Sequence, residues 1–259
     1  MNPKLQALRN WFFLIGMIAV NALANAMPIN GYNTGQVSAF YPNRFVPAGF
    51  TFGIWSIIYL LLTGFVVICT KWLWYQPDSL QGKLAKKISP LFDVTCMLNI
   101  GWILAWHYLQ TGLSVVIMLG FLLVLVRTYG TLQPFRSSLT RSQMTWFYLP
   151  FVVYLAWISV ATIANITAWL VSRQWGGFGI NPSGWSILLI AIASLLGLIM
   201  AWHRRETAYA LVIAWALFGI YSSQSGLYPA VGYTALAGVT VLLLSAAWKW
   251  FTGPRSVTG

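Results

Sequence analysis

The sequence predicts an all-α integral membrane protein of eight spans with both termini cytoplasmic. Three observations lead there. The 259 residues are 59% hydrophobic and only 7% charged, which would leave a soluble domain of this length without a wettable surface. The apolar residues gather into eight windows of about 20, long enough for helices that cross a hydrocarbon core and too long for barrel strands. Placing the amino terminus inside then puts thirteen of the fifteen Lys and Arg residues on the cytoplasmic side, as cytoplasmic loops of membrane proteins require. The net charge of +12 is therefore read as a topology signal. Nucleic-acid binding is excluded, because no basic face is interleaved with polar surface.

The first span lies near 10–27. Lys4 and Arg9, the apolar run from Trp11 to Val20, and Ala24-Asn25-Ala26 imitate a cleavable signal peptide; the segment is read as a retained helix. The outer loop of residues 28–49 is long and carries Pro28, Gly31, Gly35, Pro42 and Pro47, the kind of loop that often forms a lid. The second span, near 50–70, starts from "FVPAGFTFGIWSIIY". Gly49 and Gly53 there form a GxxxG pair that would allow close helix approach. The third, near 90–109, has Asp93 close to its start, placed to cap the helix or to pair with Lys86 or Lys87. The fourth lies near 112–128. The fifth, near 146–172, is the longest and is expected to tilt or to reach beyond the lipid. After the glycine-rich loop "QWGGFGINPSG" come spans near 184–202, 206–223 and 228–250. Arg44 and Arg173 fall outside, while Lys4, Arg9, Lys71, Lys83, Lys86, Lys87, Arg127, Arg136, Arg141, Arg204, Arg205, Lys249 and Arg255 fall inside. The chain divides into a five-helix bundle, 1–173, and a three-helix extension, 174–259.

Polar side chains are costly in a bilayer and usually face the bundle interior. Asn21 and Asn25 share one face of the first helix. Asn99, Trp102 and Trp106 share one face of the third, as do Trp157, Ala161 and Asn165 on the fifth, by helical spacing. With the alternating helix directions, these residues and Trp55 all lie from mid-membrane toward the outer face, beneath the long first loop. An aromatic-lined cavity with a few amide and indole donors suits a flat, mostly apolar ligand. The competing role is structural, since asparagines also tie membrane helices together. Trp11, Trp72, Trp74, Trp169, Trp202, Trp248 and Trp250 lie near span ends and are assigned to the interfacial belt. His107 and His203 are read as solvated interfacial histidines, either of which could ligate a metallated tetrapyrrole. Cys69 and Cys96 are read as small buried hydrophobes. No Walker loop, zinc-ligand cluster or partnered nucleophile is present in the sequence, so no catalytic or metal-binding residue is assigned.

Three stretches resemble the TspO/MBR family of translocator proteins, also called tryptophan-rich sensory proteins. "FVPAGFTFGIWSIIYLLLTG" is similar to the proline–aromatic start of that family's second helix. "MLNIGWILAWHY" resembles its third helix and "YLPFVVYLAWISVATIANITAWL" its fifth. The resemblance covers about residues 10–173. It implies a five-helix bundle whose pocket, capped by the first loop, accepts porphyrins and other hydrophobic molecules. Carried over by residue, the implied ligand-binding set includes Trp55, Asn99, Trp102, Trp157, Ala161 and Asn165. Phe52 and Asn25 complete the expected ligand-binding set, and on the resemblance Phe50, Phe52 and Trp55 would wall the pocket. Compact members of the family have no counterpart of the last three helices.

The expected function is thus a non-enzymatic receptor or carrier for a flat hydrophobic ligand, a porphyrin or heme being the first candidate. A small-molecule transporter and an accessory subunit of a larger pigment–protein membrane complex are the alternatives. No required cofactor is expected. The bilayer, the ligand and a homodimer or larger membrane assembly are the expected partners, in a bacterial inner membrane.

Overall fold

The computed structural model describes residues 2–252. Arg255 and the side chain of Trp250 lie outside the described residues, within which the chain is helix and turn with no strand. Residues 1–42 and 52–175 form one compact unit, and residues 43–51 join those after 176 in a second.

In the first unit, α1 (Pro3–Ala26) is capped by Asn2, whose side chain accepts from the Lys4 amide, with Pro3 in the first turn. The short α2 (Thr34–Ala39) lies within the first loop. A reciprocal pair of Asn33 and Gln36 side-chain bonds closes its amino-terminal end. A 3-10 turn, Gly49–Gly53, leads into α3 (Ile54–Tyr75). The GxxxG expectation does not hold: a Cβ at Gly49 or Gly53 would meet nothing within 4 Å. Both glycines belong to the turn, and the close approach on this helix is at Gly64, where a Cβ would run into the Trp146 ring. Gly64→Ala should therefore cost about 1–3 kcal/mol through overpacking, read as a lowered thermal midpoint in detergent.

α4 (Leu80–His107) begins at its Ser79 cap and not near residue 90, so Pro90 lies inside the helix. The missing proline N–H leaves the Lys86 carbonyl without its helical donor, and Gln6 Nε2 supplies one at 2.8 Å. This longer helix also corrects the reading of Asp93, which sits well inside it. The ion-pair partner is Arg9 on α1, with Nε 2.5 Å from Asp93 Oδ2. Lys86, two turns away on the same helix, instead reaches Asp78 at 3.4 Å. Asn10 completes the cluster: oriented to satisfy both ends of its amide, it donates to Asp93 Oδ1 at 3.1 Å and accepts from Ser89 Oγ at 2.8 Å.

α5 (Thr111–Leu132) returns beside α4. A single turn, α6 (Arg141–Gln143), and a wide π turn, Met144–Tyr148, lead into α7 (Leu149–Ser172). This combined helix of 32 residues is the longest of the candidate spans, as the sequence indicated. Every residue from Phe151 to Val160 is buried, so α7 forms the centre of the unit, as a helix apolar all round should. Trp72, expected at the lipid interface, is buried edge-on against Phe147 with centroids 4.7 Å apart.

The second unit holds α8 (Pro182–His203), α9 (Thr207–Gln224) and α10 (Pro229–Thr252), each packed on the other two. Asn181 caps α8. Trp202 Nε1 donates to Ser245 Oγ at 2.7 Å and lies under Lys249 Nζ at 4.2 Å, tying α8 to α10. Among the described residues, seven helices are long and apolar enough to cross a membrane, where the sequence suggested eight. α9 is not among them: its 18 residues span about 27 Å, and it ends in the polar stretch Ser222-Ser223-Gln224.

Candidate functional site

The helical spacing of Phe52, in the 3-10 turn, and of Trp55 and Tyr59, on α3, places their rings along one side, where they meet aromatics from α4 and α7. Trp55 is the hub. It stacks on Tyr59 at 5.6 Å and on Trp102 at 6.3 Å, and it meets Tyr154 and Trp157 edge-on at 5.8 and 6.2 Å. Trp102 continues the stack to Trp106 at 6.0 Å, and Tyr41 of the first loop tilts against Trp106 at 5.9 Å. Partial burial raises the Tyr41 phenol above its ordinary pKa, so it stays protonated at neutral pH. Phe52 meets Trp157 edge-on at 6.2 Å. Such pairs favour offset and edge-on geometry because the ring face is negative and the edge positive.

Two polar ties run behind the rings. Asn21 Nδ2 donates to Asn99 Oδ1 at 2.6 Å and to the Met17 carbonyl at 2.9 Å, while Asn99 Nδ2 donates to the Tyr154 hydroxyl at 3.0 Å. This chain joins α1, α4 and α7. In the second, Trp102 Nε1 donates to Asn165 Oδ1 at 3.2 Å and Asn165 Nδ2 donates to Ser114 Oγ at 2.8 Å, joining α4, α7 and α5. Buried amides thereby find partners that lipid cannot provide.

A cavity of ≈ 410 Å³ lies between α1, α3 and the first loop. Asn21 and Asn25 line it from α1, Thr34 from α2, Phe52 from the 3-10 turn, and Trp55 and Tyr59 from α3. Its volume is in the range of small-molecule sites. Asn25 and Ser56 are exposed and mark the mouth, whereas Asn21 is buried and lies inward. The Tyr59 hydroxyl is buried and makes no hydrogen bond; Asn99 is its polar neighbour. The indole nitrogen of Trp157 is likewise buried and unbonded.

The family model of the TSPO-like proteins matches residues 6–248. The chain belongs to that family. No curated protein and no protein of solved structure matches it. The match runs through α8, α9 and α10, so the helices beyond residue 173 fall within the family pattern as well.

In this TSPO-like protein, three of the residues expected to bind ligand line the cavity: Asn25, Phe52 and Trp55. Asn99, Trp102 and Asn165 stand in the layer of hydrogen-bonded and stacked groups behind it. Trp157 buttresses Trp55 and Phe52 from α7, and Ala161 is partly buried one turn farther along the same helix. Phe50, expected to wall the cavity, belongs to the second unit and packs on Trp215 and Phe218 at 5.4 and 5.9 Å. Tyr59 and Thr34 were not singled out in the sequence. Tyr59 had a signal, the i+4 spacing from Trp55. Thr34 had none, because its place depends on how the loop folds.

His107 also differs from expectation. It is fully buried and not solvated, because α2 of the TSPO-like first loop folds over it. Its Nε2 lies 3.1 Å from Thr34 Oγ1 and its Nδ1 3.2 Å from the Ile29 carbonyl. Both ring nitrogens thus face protein partners. Asn30 Nδ2 donates to the His107 carbonyl at 3.1 Å, and Trp106 Nε1 to the Thr34 carbonyl at 3.3 Å. The end of α4 therefore fastens the loop over the cavity. His107→Phe should keep the bulk and lose both ring contacts. Faster hydrogen exchange across residues 28–39, with the transmembrane helices unchanged, is the expected result.

Proposed function

We propose that this TSPO-like membrane protein is a receptor or carrier that holds a flat, mostly apolar ligand in the cavity between α1 and α3, with a porphyrin as the leading candidate. The observation that carries the reading is the chemistry of the lining. Trp55 and Tyr59 offer an aromatic wall for an extended π-system. Asn25 at the mouth, Asn21 farther in and the unbonded Tyr59 hydroxyl offer a few polar contacts to orient it. Small-molecule sites combine these two elements in this proportion. The loop fastened at His107 provides the cover.

Catalysis has no support in the residues at the cavity, so the reading is non-enzymatic. Thirteen basic residues against two favour cytoplasmic termini. That topology needs an even number of crossings, with α9 crossing as a short helix packed on α8 and α10. The test of function is tryptophan-fluorescence quenching of the purified protein titrated with protoporphyrin. Saturable quenching at one ligand per chain supports the reading. Linear, non-saturable quenching rejects it. Flux of the same porphyrin into reconstituted vesicles separates carrier from receptor.

A further inference from the structure

Residues 43–51 separate the two walls of the first unit in sequence, yet they are bound by the second unit. The segment carries Pro47 and ends in the 3-10 turn that opens α3. α9 holds it from Val46 to Thr51. Ala48 N donates to the Gly219 carbonyl at 2.9 Å, and Trp215 Nε1 donates to the Thr51 carbonyl at 3.0 Å. Ser223 Oγ and Gln224 Nε2 both donate to the Val46 carbonyl, at 2.6 and 3.2 Å. Phe50 packs on Trp215 and Phe218. At the far end, Arg44 lies 3.9 Å over the Tyr228 ring and its guanidinium donates to Ser183 Oγ.

Packing makes the fit exact in one place. Thr51 is fully buried against Gly219, where any Cβ would collide with Thr51 Oγ1 and crowd Pro47. The Thr51 hydroxyl makes no hydrogen bond, so it is there for shape. Side chains of α9 thus bind the Val46 and Thr51 carbonyls, and the Gly219 backbone carbonyl binds the Ala48 amide, immediately before Phe52 and Trp55, two residues of the cavity lining.

We propose that α9 serves as the anchor of this strap, and that Trp215, Gly219 and Gln224 are positioning residues that set Phe52 and Trp55 through the continuous chain. In its binding consequence the inference rests on the ligand reading above. In its structural consequence it does not. The C-terminal helices would then be part of the binding machinery, although none of their residues lines the cavity.

The test compares three full-length variants in nanodiscs by hydrogen exchange and by protoporphyrin titration. Gly219→Ala should speed exchange in residues 46–51 and, decisively, in 52–59, and should weaken porphyrin binding about fivefold. Adding Thr51→Ala removes the colliding oxygen and should return both readouts toward wild type. Trp215→Phe keeps the ring and loses one bond to the strap, and should move both in the same direction by less; it carries the test if Gly219→Ala does not fold. Faster exchange in 46–51 with 52–59 unchanged would overturn the proposal. So would a Gly219→Ala effect that Thr51→Ala leaves in place. If the wild type binds no porphyrin, the ligand reading fails, and the exchange at 52–59 still decides the strap.

Discussion

Trp55→Leu should weaken porphyrin binding by at least about tenfold, roughly 1.4 kcal/mol, while the protein still folds. Trp55 is the one ring that both faces the cavity and stacks on two other aromatics. Leucine keeps apolar volume in the wall but offers no face to a π-system, and stacked pairs contribute about 0.5–1.5 kcal/mol beyond area. Relaxation of Tyr59 and Trp102 into the vacated space would add to the loss. Trp157→Leu should act in the same direction but less, because Trp157 touches Trp55 and Phe52 edge-on and does not line the cavity. Fluorescence titration of both variants beside wild type gives the order. Equal losses, or a larger loss at Trp157, would mean that the ligand sits deeper, against α7.

The second large effect is on stability. Asp93→Leu should destabilise the protein by about 2 kcal/mol, since it removes the carboxylate that the Arg9 guanidinium pairs with and that the Asn10 amide bonds. Asp93 is buried, while a third of the Arg9 side chain reaches solvent. The Arg9 side chain can therefore turn further outward, which keeps the cost below that of a fully enclosed pair. The double variant Arg9→Leu with Asp93→Leu should recover part of the loss, as removing both partners of a buried ion pair often does. Thermal unfolding in detergent measures both. A double variant no better than Asp93→Leu alone would show that Asn10 and Ser89, not the charge pair, carry the stability.

The helices of the first unit were legible in the sequence because apolar windows of membrane length are a strong signal, and the polar stripes on α1, α4 and α7 followed from helical spacing. Trp102 does meet Asn165, and Asn99 meets Tyr154 on the same helix as Asn165, as one stripe facing another should. Several details were out of reach for definite reasons. The start of α4 lies in a segment with Lys83, Lys86 and Lys87, too polar for an apolar window, and a proline normally argues for a boundary; the donor for the carbonyl that Pro90 frees comes from Gln6, distant in sequence. Burial of His107 depends on a loop helix of six residues that no periodicity could reveal. The assignment of Phe50 to α9 is a tertiary matter, because 45–59 reads as one continuous aromatic stretch and nothing local divides it after Thr51. Gly49 and Gly53 show the reverse error, a motif present by spacing with nothing packed against it.

Filling the cavity tests the central claim most directly. Ala22 lines it from α1 and is exposed, so Ala22→Phe adds a ring to the open space without disturbing a packed core. The variant should fold with an unchanged thermal midpoint and lose saturable protoporphyrin quenching. Quenching in Ala22→Phe with the wild-type affinity would contradict the account, and would place the porphyrin site elsewhere on the protein.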